Sequence, residues 1–233
     1  MGHIVSLMKN VVIAGSHGKT TTTSLTSSIF SKARLDPTII NGGILNSLGS
    51  SAKLGKSDWC ILESDESDGS FLKVPTTYSV VTNIDDEHMD YYKNIENLKN
   101  KFVKFIEKTP ALGRSFICID DKNIKSILHK LSQKNYYTYG FDKNSNFKIQ
   151  NVFQNINGSS FDIKITLPGK KTKKIKNLKI PIIGMHNIKN ATAAIAVASS
   201  IGISEKIIKQ GLVEFKGVQR RFNKLFTFQD SIF

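Results

Sequence analysis

The chain has 233 residues and a hydrophobic content of 39%, which is enough for one substantial domain with a buried core. Its 33 Lys and Arg residues against 19 Asp and Glu residues give a formal charge of +14 that is spread along the chain. We interpret this charge as a solvated surface and expect no nucleic-acid site, because no stripe of stacking aromatic residues accompanies it. Cys60 and Cys118 are too few for a disulfide framework, and no apolar run approaches the roughly 20 residues of a membrane span. These features predict a soluble, cytoplasmic protein.

A strand, a glycine loop and a helix follow one another near the start of the chain. β-branched residues from Asn10 to Ala14 predict a strand, and Leu25, Ile29 and Phe30 at helical spacing predict a helix over 20–33. Strands that alternate with helices predict an α/β fold, a mostly parallel sheet flanked by helices. Further strands are predicted at 38–40, 59–62, 78–84 and 115–119, and a further helix at 95–108.

The pattern changes between residues 147 and 180. Short alternating stretches are separated by the turn signals Asn157-Gly158 and Pro168-Gly169, which predict a small antiparallel hairpin region. The Lys-rich run 170–176 is typical of a charged hairpin edge. Helical patterns return at 187–201 and 204–213.

Lys216-Gly217 is the last turn signal and the predicted domain boundary. Residues 1–217 are predicted to form one domain. Residues 218–233 contain apolar side chains with no evident partner, among them Phe222 and Phe226. We therefore expect 218–233 to be the severed start of a further domain.

The glycine loop is the strongest functional signal. Because it follows a strand and opens a helix, its backbone N–H groups can surround phosphate oxygens. Lys19 would neutralise the outer phosphates and the Thr20 hydroxyl would ligate magnesium. Ile13 stands where the strict pattern has a glycine, so the loop is a shortened variant, and an incidental glycine turn is the alternative. The predicted nucleoside triphosphate contacts are Gly15, Ser16, His17, Gly18, Lys19, Thr20 and Thr21.

Two further candidates follow predicted strands. The carboxyl ends of parallel strands meet at one edge of a sheet, so Glu63 is expected to face the magnesium. The acidic residues after it, Asp65, Glu66 and Asp68, are interpreted as loop residues. His88 is a candidate second metal ligand, with a purely structural histidine as the alternative.

Amide and guanidinium side chains supply the remaining candidates. Asn187 and Asn190 are three residues apart and share a helical face, and their amides suit an adenine edge, although a helix cap is the alternative. His186 precedes them. Arg220 and Arg221 could reach a phosphate, whereas solvation is the ordinary state of such a pair.

Five motifs together, in this order, resemble the Mur ligases of peptidoglycan synthesis. Within that family the acidic segment 63–71 and the segment 82–92 are most similar to the branch that adds L-alanine to UDP-N-acetylmuramic acid. The branch that recycles murein tripeptide is the alternative. The motifs are residues 14–21, 63–71, 81–90, 184–191 and 220–222.

The resemblance implies a three-domain enzyme of which this chain is the central ATPase domain, without the N-terminal UDP-sugar domain and most of the C-terminal ligase domain. It implies ATP and Mg²⁺ as cofactors, and an acyl phosphate that the alanine amino group attacks. Lys19 would clamp the β and γ phosphates, Thr20 and Glu63 would hold the first magnesium, and His88 would serve the second. By the same resemblance, adenine contacts come from His186, Asn187 and Asn190, and a phosphate contact from Arg221.

The sequence leaves several points open. The chain could be a catalytically silent ATP-binding fragment, or a generic phosphate-loop ATPase or kinase. Some relatives carry a carbamylated lysine at the second metal, but neither Lys101 nor Lys104 is assigned that role. The segment 41–43, directly after a predicted strand, could contact the sugar substrate or could be a simple turn.

Overall fold

The computed structural model describes residues 5–132, 135–218, 227–228 and 231–232. Ten of its strands belong to one sheet. These strands are β1 (Lys9–Ala14), β2 (Thr38–Leu45), β3 (Ser50–Lys53), β4 (Trp59–Glu63), β5 (Tyr78–Val81), β6 (Arg114–Cys118), β7 (Tyr136–Gly140), β8 (Phe147–Asn155), β9 (Gly158–Ile165) and β10 (Lys173–Ile180). A separate short pair is formed by β11 (Thr227–Phe228) and β12 (Ser231–Ile232). The helices are α1 (Lys19–Lys32), α2 (Met89–Tyr92), α3 (Ile95–Glu107), α4 (Lys122–Ile127), α5 (Met185–Ser200) and α6 (Glu205–Val213).

The sheet has the order β10-β9-β8-β7-β6-β5-β1-β4-β2-β3. Strands β2, β4, β1, β5, β6, β7 and β8 run parallel, which confirms the predicted α/β class. The chain leaves β1 towards β2 on one side and leaves β5 towards β6 on the other. Because such crossovers are right-handed, α1 and α3 cover opposite faces. The carboxyl ends of β1 and β5 therefore lie at the point where the strand order reverses, where open α/β sheets bind ligands.

The antiparallel strands continue the same sheet. β8 pairs with β7 in parallel and with β9 in antiparallel fashion, so the predicted hairpins are confirmed but extend the main sheet. Along β9, Phe161, Ile163 and Ile165 are buried, whereas Lys164 is exposed. This alternation buries one face of the extension and leaves the other to solvent.

Helix α1 is buried on most sides because two helices pack against it. The buried alanines of α5 let α5 approach α1 closely, and Gly211 of α6 lies so near that a Cβ there would be 2.7 Å from Ile29 Cα. Ser28 Oγ donates a hydrogen bond to the Gly211 carbonyl at 2.7 Å. This packing fixes the helix whose first turn closes the glycine loop.

The structure differs from the sequence-based expectations in a few elements. Residues 41–43 lie inside β2, at an irregularity in its pairing with β3, and not after a strand. Strands β3 and β7 and helices α2 and α4 were not predicted, because they are short and their apolar patterns are weak. The boundary after Gly217 remains a prediction; Val218 forms an isolated bridge with Leu45. Among the described residues, no helix is long and apolar enough to cross a membrane.

Candidate nucleotide-binding site

The glycine loop joins β1 to α1 in a backbone conformation that requires glycine. Gly15 has φ +130°, and a Cβ there would lie 2.2 Å from Thr82 Oγ1. Gly18 has φ +85°, and a Cβ there would lie 2.6 Å from Asn190 Oδ1. Both values fall in the region that L side chains rarely adopt. The loop therefore passes very close to the residues after β5 on one side and to α5 on the other.

The residues that follow β5 hold the loop in place. The His17 N–H donates to Asn83 Oδ1 at 2.8 Å, and Asn83 Nδ2 donates back to the His17 carbonyl at 2.9 Å. Thr82 Oγ1 donates to the same carbonyl at 2.7 Å, and the Asp85 N–H donates to Ser16 Oγ at 2.8 Å. Sequence reasoning gave Thr82 and Asn83 no role; their position directly after the strand beside β1 was the available signal.

Glu63 lies at the carboxyl end of β4, beside the first turn of α1. Its Oε1 accepts a hydrogen bond from Thr20 Oγ1 at 3.1 Å, and its Oε2 accepts one from the Gly42 N–H at 2.8 Å. A Cβ at residue 42 would lie 2.9 Å from the carboxylate, so glycine keeps this approach open. The structure therefore brings Glu63 and Thr20 together, as the sequence predicted.

Glu66 lies in the loop after β4, as predicted, but it is buried and faces the glycine loop, which the sequence did not indicate. Its side chain is 0% exposed, and its Oε2 and Oε1 atoms lie 2.9 and 3.2 Å from Lys19 Nζ. Burial raises the pKa of the Glu66 carboxyl, and the hydrogen bond and charge of Lys19 oppose that rise. Sequence reasoning missed the pair because its two members are 47 residues apart and only the fold joins them.

His88 lies at the same edge of the sheet. Its Nε2 is 4.0 Å from Glu66 Oε1. Three atoms that could ligate a metal, one each from Asp65, Glu66 and His88, lie within 4.8 Å of one another. His88 has φ +60° and precedes the short helix α2. The structure thus places His88 beside the loop, as predicted, with Glu66 between it and Lys19.

Two cavities meet at the loop. One of about 800 Å³ is lined by Lys19, Thr20, Asn41, Glu63 and Asp65, together with other loop residues. The second, of about 420 Å³, contains the amide and imidazole candidates and lies on the far side of Gly18. It is lined by His17, Gly18, Thr21, Ile182, His186, Asn187, Asn190, Phe215, Gly217 and Val218.

The amide candidates differ in what they contact. Asn187 is buried, and its Nδ2 donates to the Ile183 carbonyl at 2.7 Å, which ties the start of α5 to the chain before it. Asn190 is buried and points at Gly18. His186 is exposed at the cavity wall. Arg221, the predicted phosphate contact, lies outside the described residues.

The parallel sheet, the glycine loop at its switch point and the carboxylates beside it are the architecture typical of phosphate-loop domains. Residues 13–198 match the family model of the Mur ligase middle domain. The chain belongs to this family.

Relatives and solved structures point to the same family. The chain is 65% identical over 233 residues to a UDP-N-acetylmuramate–L-alanine ligase from Pelagibacter ubique, covering all of this chain and 50% of that protein. It is 43% identical over 225 residues to the ligase of the same name from Rhizorhabdus wittichii, covering 97% of this chain and 48% of that protein. The crystal structure of a UDP-N-acetylmuramate–alanine ligase from Thermotoga maritima is 25% identical with a TM-score of 0.80, and the match covers 96% of this chain and 48% of that one. The chain therefore spans about half the length of the curated relatives it matches.

Proposed function

We propose that the chain is the ATP-binding domain of a ligase that adds L-alanine to UDP-N-acetylmuramic acid in peptidoglycan precursor synthesis. The observation that carries the proposal is the cluster of Lys19, Thr20 and Glu63 around a strained glycine loop. The identity of 65% to a relative with this activity in its name supports the substrate pair. We place the reaction in the cytoplasm, which suits two free, buried cysteines.

The loop residues 15–21 would hold the triphosphate of ATP. The first N–H groups of α1 lack acceptors within the helix, so they are available to phosphate oxygens. Lys19 would add its positive charge at the β and γ phosphates. His186, Asn187 and Asn190 would take the adenine in the adjoining cavity of about 420 Å³, and Arg221 would reach the phosphates.

The donor set fits magnesium. Mg²⁺ prefers hydroxyl and carboxylate oxygens, and Thr20 Oγ1 and Glu63 Oε1 already lie 3.1 Å apart. These two residues would hold one ion, and His88 would serve a second. When bound, magnesium neutralises charge on the transferring phosphoryl group.

The reaction would proceed in two transfers. A carboxylate oxygen of UDP-N-acetylmuramic acid attacks the γ phosphorus, the bond to the β-phosphate oxygen breaks, and ADP leaves. The alanine amino group then attacks the acyl carbon, phosphate leaves, and the amide forms with loss of one proton from nitrogen. The chain's own contribution is to hold the triphosphate in line and to place the Lys19 charge where negative charge develops.

The test is ADP release that depends on both alanine and UDP-N-acetylmuramic acid. It is measured on this chain and on a chain extended by the flanking domains of its relatives. We expect activity in the extended form, and Lys19→Ala should remove it because the phosphates lose their cation. Full activity in the Lys19→Ala variant would contradict the proposal.

One other candidate is supported by the length of the match. The chain covers only 50% of the ligase from Pelagibacter ubique. By itself it could therefore bind ATP without catalysing ligation. Calorimetric ATP binding by this chain, without alanine-dependent turnover, would identify that case. Use of murein tripeptide in place of alanine by the extended form would instead favour the recycling ligase.

A further inference from the structure

Glu66 is a buried carboxylate for which the proposed reaction has no use. Replacing a buried ion pair with apolar residues is often neutral or stabilising, so such a pair is weak evidence for a role in stability alone. The partner of Glu66 is the one ammonium that the proposed function requires. A role of the Lys19–Glu66 pair in ligand binding therefore explains its presence better than a role in stability does.

The hydrogen bonds of Lys19 define where its ammonium lies. The Lys19 side chain is 12% exposed. Its ammonium donates to the Ser16 carbonyl at 3.3 Å and to the two Glu66 oxygens at 2.9 and 3.2 Å. An ammonium has three N–H donors. The Ser16 carbonyl and the two Glu66 oxygens occupy these donors, and Asp65 Oδ1 lies 3.8 Å from the nitrogen. Lys19 also lines the cavity of about 800 Å³, where a ligand oxygen can replace the longer Glu66 contact while the shorter one is kept.

Glu66 is itself firmly held. Its carbonyl accepts hydrogen bonds from the Tyr92 hydroxyl and from the Gly69 N–H, the second at 3.1 Å. Phe71 follows in the same segment and is fully buried between Phe102 and Phe105 of α3. The carboxylate is therefore presented to Lys19 from a backbone fixed at two points, which suits a group that orients another.

We propose that Glu66 is a positioning residue, whose carboxylate holds the Lys19 ammonium beside the loop so that the N–H of the longer Glu66 contact can turn to the terminal phosphates of a nucleotide. The inference rests on the proposed nucleotide function of the loop. Without this carboxylate the flexible four-carbon stem would let the ammonium leave the loop, and its ordering would have to accompany binding.

The experiment is a double-mutant cycle on this chain, with MgATP as the probe in calorimetric titrations at low salt. The variants are Lys19→Met, Glu66→Gln and the double variant. Glutamine keeps the size of Glu66 but removes its charge. Asp68→Asn is the matched control, because Asp68 is an exposed acid of the same segment that does not contact Lys19. Thermal melts establish that each variant is folded.

We expect Glu66→Gln to weaken MgATP binding about tenfold in the native background and less than about twofold in the Lys19→Met background. Glu66→Asp, which keeps the charge, should recover part of the loss, and Asp68→Asn should bind like the native chain. If Glu66→Gln does not fold, the same cycle is run with Glu66→Asp, which should also weaken binding only when Lys19 is present.

Three results would overturn the inference alone: equal weakening in both backgrounds, no weakening, or tighter binding by Glu66→Gln. Equal weakening would mark a merely structural residue, and tighter binding would mark a competitor of the phosphates for Lys19. If the native chain binds no MgATP, or if Lys19→Met binds it equally well, the proposed function fails and this inference fails with it.

Discussion

Two regions of the sheet, the surroundings of β1 and the extension β8–β10, are built on different principles. Around β1, two glycines adopt positive φ, and the buried Glu66 carboxylate pairs with the partly exposed Lys19 ammonium. In the extension β8–β10, residues alternate between a buried apolar face and a Lys-rich exposed face. The region around β1 has strained backbone and a buried charge where a ligand would bind. The extension instead has apolar side chains on its buried face and charged side chains on its exposed face. Substitutions should therefore act through backbone geometry in one region and through lost burial in the other.

The largest effect is expected for Gly15→Ala. Its φ of +130° is unfavourable for alanine, and the added Cβ would lie 2.2 Å from Thr82 Oγ1, so we expect a loss of roughly 4 kcal/mol or failure to fold. Gly169→Ala is the matched control in the extension, because φ is +68° but nothing lies within 4 Å of its Cβ; it should cost about 1 kcal/mol. Urea denaturation measures the free energy of unfolding of both variants. Similar losses in the two variants would contradict the contrast between the regions.

Leu178→Ala should lower the free energy of unfolding by about 3 kcal/mol through lost burial, and not through backbone strain. Leu178 of β10 is fully buried, and its truncation removes burial and leaves a cavity. Because β10 is at the far edge of the sheet from β1, MgATP affinity should remain unchanged. A fall in affinity in the folded variant would mean that the two regions are coupled. Lys179→Ala, an exposed neighbour, is the control for both measurements.

Asn83→Ala should cost about 2 kcal/mol and also weaken MgATP binding. The variant loses both hydrogen bonds between the Asn83 amide and the backbone of His17. The loop is then held by Thr82 and by the contacts of Ser16 with the backbone of residues 83 and 85. Asn151→Ala in the extension removes one side-chain hydrogen bond, to Asp162, and should cost less without changing affinity. Equal affinity in the Asn83 variant and the native chain would show that the loop does not depend on this clamp.

The sequence was informative where neighbours along the chain decide the structure. The β-branched run before Gly15, the helical spacing of Leu25 and Ile29, and the turn at Asn157-Gly158 each predicted an element correctly. Glu63 was predicted near Thr20 because strand ends share an edge, and the hydrogen bond between the two confirms their proximity.

The rest depended on contacts that no local pattern encodes. Nothing in the acidic run 63–68 distinguishes buried Glu66 from exposed Asp65 and Asp68, since only tertiary packing places Lys19 beside one of them. For the same reason, the clamp of Asn83 on His17 was not foreseen. Both missed contacts join polar residues far apart in sequence, and unlike Glu63 neither Glu66 nor Asn83 is the last residue of a strand.

The smallest effect concerns Asp162 in the extension. Its pKa is lowered by the Asn177 backbone N–H, by Asn151 and by Lys174. A lowered pKa in the folded state stabilises the protein above the unfolded value of about 3.9, and this contribution is lost as the pH falls through the folded pKa. Asp162→Asn should therefore cost roughly 1 kcal/mol at pH 7 and progressively less as the pH falls below about 4.

Urea denaturation of Asp162→Asn and the native chain at pH 7 and at acid pH measures this difference. Asp142→Asn, at another partly buried acid with a lysine partner, should behave similarly because the Asp142 carboxylate also accepts a backbone N–H and pairs with Lys125. A cost for Asp162→Asn that stays constant with pH would mean that its charge contributes nothing and that the bulge between β9 and β10 is held by shape alone. In that case the contrast between the two regions would be sharper, because the Asp162 charge would not contribute to the free energy of unfolding of the extension.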